Sequence, residues 1–272
     1  MKYYVVDSFT EKMFSGNPAG VCLLEGEISE KLMQDIASEN NLAETAFVRK
    51  NGDSYDLRWF TPEIEIDLCG HATLAAAFVI LNFVDKARRG IIFNTRSGEI
   101  RVAVKKNIVD LNDVYEMDFP AWELKALEIT ELMGRAIGGA NIKEAYLARD
   151  LILVLDSEEA VAGVAPDFEL IREIPEAFAL VVTARGNKSD FVSRFFAPKA
   201  GISEDHVTGS SHSELIPYWA KQLDKKVMTA LQLSKRGGCI FCEHHGERVK
   251  IAGKAVLYMS GEIIYNKIKK GE

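Results

Sequence analysis

Arg58-Trp59-Phe60-Thr61-Pro62 and Arg194-Phe195-Phe196-Ala197-Pro198 are near copies of one another, 136 residues apart in a chain of 272. Each copy carries the aromatic residues of a strand, stops at a proline and runs on into an acidic segment. Each then reaches a glycine that opens an apolar helical pattern. The first is Gly70-His71-Ala72-Thr73-Leu74; the second is Gly209-Ser210-Ser211-His212-Ser213, continuing through Leu215, Ile216, Tyr218 and Trp219 with Pro217 among them. Seven residues separate proline from glycine in the first copy and ten in the second, so the copies differ where specificity would differ. An echo at half the chain length marks an internal repeat. It predicts an α+β fold of two pseudo-symmetric halves, each a mainly antiparallel sheet curled around one central helix. The halves divide as residues 1–115 and 116–272, with room for the last strand to return to the first half. The division falls near Asn112–Ala121, where Asn107, Asp110, Asn112 and Asp113 interrupt the strands.

The local pattern agrees. Lys2–Ser8, Ala19–Leu24, Glu44–Arg49, Tyr55–Thr61, Gly90–Asn94, Glu99–Val104 and Tyr115–Phe119 carry β-branched or aromatic residues between turn residues and read as strands. Ser29–Asn40 reads as a helix capped by Ser29, with Leu32, Ile36 and Ala37 along one stripe. Ala72–Asn82 is apolar almost all round, which predicts a helix buried in a core.

Composition narrows the function. Of all residues 47% are apolar and 27% charged, as in an ordinary folded domain. A net charge of −7 argues against affinity for a phosphate backbone, and the one dense basic run, Lys267-Ile268-Lys269-Lys270, reads as a tail. No stretch approaches the roughly 18 apolar residues of a membrane span. The N-terminus reads as a strand rather than a signal peptide, and four cysteines are too few for a disulfide scaffold, so a reducing cytoplasm is expected. What remains is an enzyme or binder of small molecules, without nucleic-acid or membrane partners.

Two glycine turns opening buried helices would present unpaired N–H groups, and together they suit a small carboxylate. Glu44, in Asn41-Leu42-Ala43-Glu44-Thr45-Ala46-Phe47-Val48, shares a strand face with Leu42, Ala46 and Val48. A carboxyl on an apolar face is fitted for general acid/base work, although a solvated surface Glu reads equally well from the residues alone. Glu204-Asp205-His206-Val207-Thr208-Gly209-Ser210-Ser211-His212 gathers proton-relaying and hydroxyl groups ahead of the second helix. Asn17, in Ser15-Gly16-Asn17-Pro18, reads first as a turn residue. Cys69 precedes the first helix, but Asp205–Ser210 holds no second cysteine to make a two-thiol pair. Cys239-Ile240-Phe241-Cys242 before His244-His245 looks like half a zinc site and lacks the other half, so no metal is expected.

At these residues the chain resembles the PhzF-like isomerases of phenazine biosynthesis, relatives of diaminopimelate epimerase. The resemblance runs through Asp7-Ser8-Phe9-Thr10, Gly16-Asn17-Pro18-Ala19-Gly20-Val21, Asn41–Phe47, Leu57–Pro62, Asp67–Leu74, Thr95–Gly98, Met117–Pro120, Ser193–Pro198 and onward to Pro217–Ala220, in family order. It implies the same two-half fold with the active site between the halves. It implies Glu44 as general acid/base, with His71 and Asp205 beside it as catalytic partners. Asn17, Gly70, Ala72, Thr208, Gly209 and Ser210 would then surround the substrate. It further implies no metal or organic cofactor and a homodimer. One departure stands out: the family's Asp-Pro-Val-Thr-Gly-Ser is here Asp205-His206-Val207-Thr208-Gly209-Ser210, which frees a backbone N–H and adds a titratable ring. The expected function is a cofactor-independent isomerase or epimerase of a small carboxylate. A thiol-based epimerase using Cys69 and a non-catalytic binding protein remain the alternatives.

Overall fold

Strand-forming and helix-forming stretches alternate along the chain, and the computed structural model describes residues 1–107 and 112–265. Asp110 and the basic run Lys267-Ile268-Lys269-Lys270 lie outside the described residues. The first half runs β1 (Lys2–Ser8), β2 (Asn17–Leu24), α1 (Glu30–Asn40), β3 (Glu44–Asn51), β4 (Ser54–Phe60), β5 (Glu65–Ile66), α2 (Gly70–Val79), β6 (Gly90–Thr95), β7 (Gly98–Lys106) and β8 (Asp113–Pro120). The second continues with β9 (Lys125–Leu127), α3 (Glu131–Ala136), β10 (Ile142–Leu147), β11 (Leu151–Leu155), α4 (Glu158–Ala162), α5 (Phe168–Glu173), β12 (Leu180–Arg185) and β13 (Phe191–Ala197). It closes with β14 (Ile202–Asp205), α6 (His212–Leu223), β15 (Val227–Gln232), β16 (Gly238–His245), β17 (Arg248–Gly253) and β18 (Ala255–Glu262).

The fold is a mixed α/β one, dominated by a large sheet with few helices. From one edge the strands run β18–β1–β2–β3–β4–β6–β7–β8–β17–β16–β15–β13–β12–β11–β10–β9, with β5 beside β4 and β14 beside β13. Pairing is antiparallel except at β2–β3, β4–β6, β11–β12 and β13–β15. Helix α1 connects the parallel pair β2–β3, and α4 with α5 connects β11–β12, as parallel neighbours require a crossover. The final strand returns to the first, pairing Lys2 with Glu262 and Ser8 with Ala255.

Burial follows the sequence pattern. Helix α2 has no polar face, and Gly70 through Ala77 with Val79 are all buried. Its Leu74 and Ala76 share a core with Leu215 and Ile216 of α6, and with Trp59, Phe93 and Phe191 from the sheet. Fully burying such a side chain stabilises by roughly 1.5–3 kcal/mol. Helices α3, α4 and α5 cover a second core, and Met33, Ile36 and Ala37 of α1 pack on Phe47 and Phe60. The expected cap is present, since Ser29 Oγ accepts from the Leu32 N–H at 3.2 Å. Among the described residues no helix is long and apolar enough to cross a membrane.

Strand ends move by at most two residues from the sequence reading, and the two central helices move more. The first starts at Gly70, as the glycine turn predicts, but ends at Val79 before Asn82, where it passes at Ile80–Val84 into a single π-helical turn. The second starts at His212, not Gly209. Gly209–Ser211 form a tight 3₁₀-like turn ahead of it, with His212 N–H bonded to the Gly209 carbonyl at 3.1 Å. Pro217 cannot donate to the Ser213 carbonyl, and the Trp122 N–H bonds that carbonyl instead at 2.9 Å.

Candidate active site

The first ladder bond of α2 runs from the Thr73 N–H to the Cys69 carbonyl at 3.1 Å. The N–H groups of Gly70, His71 and Ala72 therefore lie outside the helix's own hydrogen bonding, at its positive end. Gly70 lies against the Gly209–Ser210 turn. A Cβ on Gly70 would stand 3.4 Å from the Gly209 Cα and 3.8 Å from the Ser210 nitrogen. Phe9 closes this region from below. It holds a positive φ of 61°, unusual for a bulky residue, and a Cβ on Gly209 would meet its ring at 3.4 Å. A Cβ on Gly253 would clash with the same ring at 2.4 Å, so the wedge also requires glycine there.

Glu44 opens β3 and His71 is the second residue of α2, and both are buried. His71 Nε2 lies 2.9 Å from Glu44 Oε2, at ion-pair distance, though Oε2 accepts no aligned hydrogen bond. The other ring nitrogen, Nδ1, is 3.1 Å from Asn17 Nδ2 and 3.5 Å from Cys69 Sγ. Asn17, fully buried at the start of β2, also donates to Asp205 Oδ1 at 2.8 Å and to the Val207 carbonyl at 2.9 Å. Two amide protons cannot serve three acceptors, and the two shorter contacts take them. That leaves Nδ1 turned toward the Cys69 sulfur. Burial alone would lower the His71 pKa; the Cys69 sulfur and the Glu44 carboxylate outweigh it and hold the ring well above its usual value. Burial, with the Glu44 carboxylate beside it, pushes the Cys69 thiol up. Ser8 Oγ fixes the backbone by donating to the His71 carbonyl at 2.8 Å.

The second half supplies Asp205, at the end of β14. Its carboxylate accepts from Asn17 and, through Oδ2, from the Thr208 hydroxyl. Gln232 holds this segment from behind: its Oε1 accepts from the Thr208 N–H at 2.8 Å and its Nε2 donates to the Asp205 carbonyl at 2.8 Å. The Ser210 side chain is half-buried and makes no hydrogen bond among the described residues. His206, where the resembled family has proline, is half-buried, and burial lowers its pKa. Its carbonyl accepts from Ser234 Oγ at 2.7 Å.

Thus Glu44, His71, Asn17, Asp205 and Thr208 form one run of polar contacts beside Gly70, Ala72, Gly209 and Ser210. Asn17 is more than the turn residue its surroundings suggested. Sequence reasoning missed Ser8 and Gln232. Gln232 was findable, because it falls on the inward face of β15 with Met228 and Ala230, where the alternation calls for an apolar residue. Cys239 and Cys242 lie three residues apart on β16 and so point to opposite faces of the strand. The donor atoms that do converge are those of Glu44, Cys69 and His71, all within 4.8 Å of one another.

The family described as phenazine biosynthesis-like protein (PhzC-PhzF) matches residues 6–261. A Pseudomonas aeruginosa protein named an uncharacterized isomerase is 46% identical over 263 residues, covering 97% of this chain and 98% of its own. The crystal structure of a PhzF-family phenazine biosynthesis protein from Enterococcus faecalis is 47% identical with a TM-score of 0.93, covering 97% of this chain and 99% of that one. A probable proline racemase from Agrobacterium radiobacter shares the fold alone, at 8% identity and a TM-score of 0.62 over 99% of this chain and 94% of that one.

Proposed function

Because the chain belongs to the phenazine biosynthesis-like (PhzC-PhzF) family, we propose that it is an isomerase that moves a proton within a small carboxylate substrate, with no cofactor. The observation that carries this reading is the run of contacts Glu44–His71–Asn17–Asp205, which joins the two halves of the chain beside two facing glycine turns. Glu44 takes a proton from carbon. The charge left behind spreads into the substrate carboxylate, against the N–H groups of Gly70 and His71 at the start of α2 and those of the Gly209–Ser210 turn. Glu44 then returns the proton elsewhere on the same molecule. The His71 cation holds Glu44 in place, and Asn17, anchored by Asp205 and the Val207 carbonyl, packs its amide nitrogen against His71 Nδ1. These partners position the base, a task worth several kcal/mol in well-ordered sites.

The order of pairings supports reading the site as lying between two related halves. In the first, β2 pairs parallel to β3, β3 antiparallel to β4, and β4 meets both β5 and β6. In the second, β11 pairs parallel to β12, β12 antiparallel to β13, and β13 meets both β14 and β15.

Deuterium incorporation tests the reading. Small cyclic and amino carboxylates, trans-2,3-dihydro-3-hydroxyanthranilate among them, are incubated in D2O with wild type and Glu44→Gln, and products are followed by mass spectrometry and NMR. Exchange or isomerisation by wild type that falls at least about 100-fold in Glu44→Gln is expected. Full activity in Glu44→Gln would sink the assignment. Binding of these compounds without any chemical change would favour a binding protein. Cys69→Ala is expected to keep activity, since a protonated thiol without a partner thiol is a poor base; its complete inactivation, with fold intact, would favour a thiol mechanism.

A further inference from the structure

The Glu44 carboxylate, the Cys69 thiol and the His71 imidazole offer one oxygen, one sulfur and one nitrogen, all within 4.8 Å of one another and all buried. Those three types are what zinc-class ions take, commonly as three protein ligands with a fourth position open. Glu44 Oε2 is 2.9 Å and Cys69 Sγ 4.0 Å from His71 Nε2. Tetrahedral ligands bonded at about 2.0–2.3 Å stand roughly 3.3–3.6 Å apart, a spacing that these two contacts bracket. Glu44 Oε2 is shut away from solvent and accepts no aligned hydrogen bond, so its lone pairs are open to an ion seated between it and His71 Nε2. Hard cations fit poorly, because a sulfur ligand is wrong for them.

We propose that Glu44, Cys69 and His71 bind a thiophilic divalent cation of the zinc class, which would occupy the base and shut the site off. Binding displaces the thiol proton and the proton on His71 Nε2 to solvent, leaving thiolate, neutral imidazole and carboxylate around the ion. The shut-off, though not the binding, rests on reading Glu44 as the acid/base.

Cobalt(II) alone reports on the binding without any substrate. Titrated into chelator-treated protein, it is expected to give a near-ultraviolet thiolate-to-cobalt charge-transfer band that zinc abolishes and magnesium does not. The band should persist in Cys239→Ser, the half-exposed thiol, and vanish in the near-isosteric Cys69→Ser. Glu44→Gln and His71→Gln should weaken it, and melting curves establish that each variant is folded. Absence of the band in wild type at cobalt in large excess, or its persistence in Cys69→Ser, overturns the proposal. Once a substrate is in hand, zinc should inhibit and a chelator restore turnover. Cobalt binding without inhibition would leave the ion site standing and remove Glu44 from the chemistry.

Discussion

Gly70 and Gly209 lie Cα against Cα: a methyl on Gly70 would stand 3.4 Å from the Gly209 Cα, and one on Gly209 3.5 Å from the Gly70 Cα. These are contact distances, not clashes, and neither glycine has a positive φ. Gly70→Ala should therefore fold, with a Tm within a few degrees of wild type. The methyl nevertheless fills the gap through which the two turns would reach a carboxylate. Turnover should fall at least about 100-fold through loss of those donors. Calorimetry beside an exchange assay measures both, and an active, stable Gly70→Ala would place the substrate elsewhere.

Asn17→Ala removes the amide that bonds Asp205 and the Val207 carbonyl. Buried acceptors are left unpaired, so stability should drop by about 1–3 kcal/mol. The activity loss should exceed what the lower stability explains, because His71 loses the amide that packs against its Nδ1 at 3.1 Å. Urea unfolding and kcat measured well below the Tm separate the two effects.

Asp7, buried in β1, accepts from Arg236 Nη2 at 2.8 Å and from the Phe14 N–H at 2.9 Å. Arg236 also bonds the Gly16 carbonyl at 2.8 Å and the Ser15 carbonyl at 3.0 Å, tying the loop before β16 to the loop before β2. Arg236→Leu strands a buried carboxylate, at a cost of about 2–4 kcal/mol for a pair with one partly exposed partner. Adding Asp7→Asn should recover part of that loss. A double-mutant cycle showing strictly additive effects would mean the pair is not coupled.

Asp150 and Glu214 are carboxyls with no exposed surface. The Asp150 N–H bonds Glu214 Oε2 at 3.3 Å, while both Asp150 side-chain oxygens and Glu214 Oε1 accept no aligned hydrogen bond among the described residues. Burial and the neighbouring Asp150 push Glu214 up to about 9. An acid raised in the folded state holds its proton where the unfolded chain has lost it. Stability is then greatest below an ordinary carboxylate pKa and declines as pH climbs toward 9, by up to about 1.4 kcal/mol per unit. Glu214→Gln, which carries no proton to lose, should flatten the fall in Tm between pH 5 and pH 9, both pH values being about the limits of that linkage window. A wild-type Tm that rises over that range, relative to Glu214→Gln, would contradict the assignment.

The sheet and both central helices were legible because aromatic and β-branched runs repeat about prolines and glycines, and a run such as Ala72–Leu81, apolar but for Thr73, has only one place to go. Glu44 was legible from its apolar face, and the glycine turns from their position before helices. Pairing across the chain was not. Nothing local in Asn17 says that its amide will meet Asp205, 188 residues on. Nor does Glu214 advertise burial, because an acid in the first turn of a helix ordinarily faces water and the helix dipole. The exact start of α6 escaped because Gly209–Ser211 has helix-compatible residues that form a tighter turn.

The return of β18 to β1 has a consequence for synthesis. Until residue 262 has left the ribosome, β1 keeps one edge of bare N–H and C=O groups, and the nascent first half waits with an open strand. Because Asp205 and Gly209 also come late, the half-made chain holds Glu44 and His71 ready but has nothing to set them against. Activity should therefore appear in one step at the end of translation, and anything that slows the last sixth of the chain prolongs the interval in which that edge can recruit a stranger.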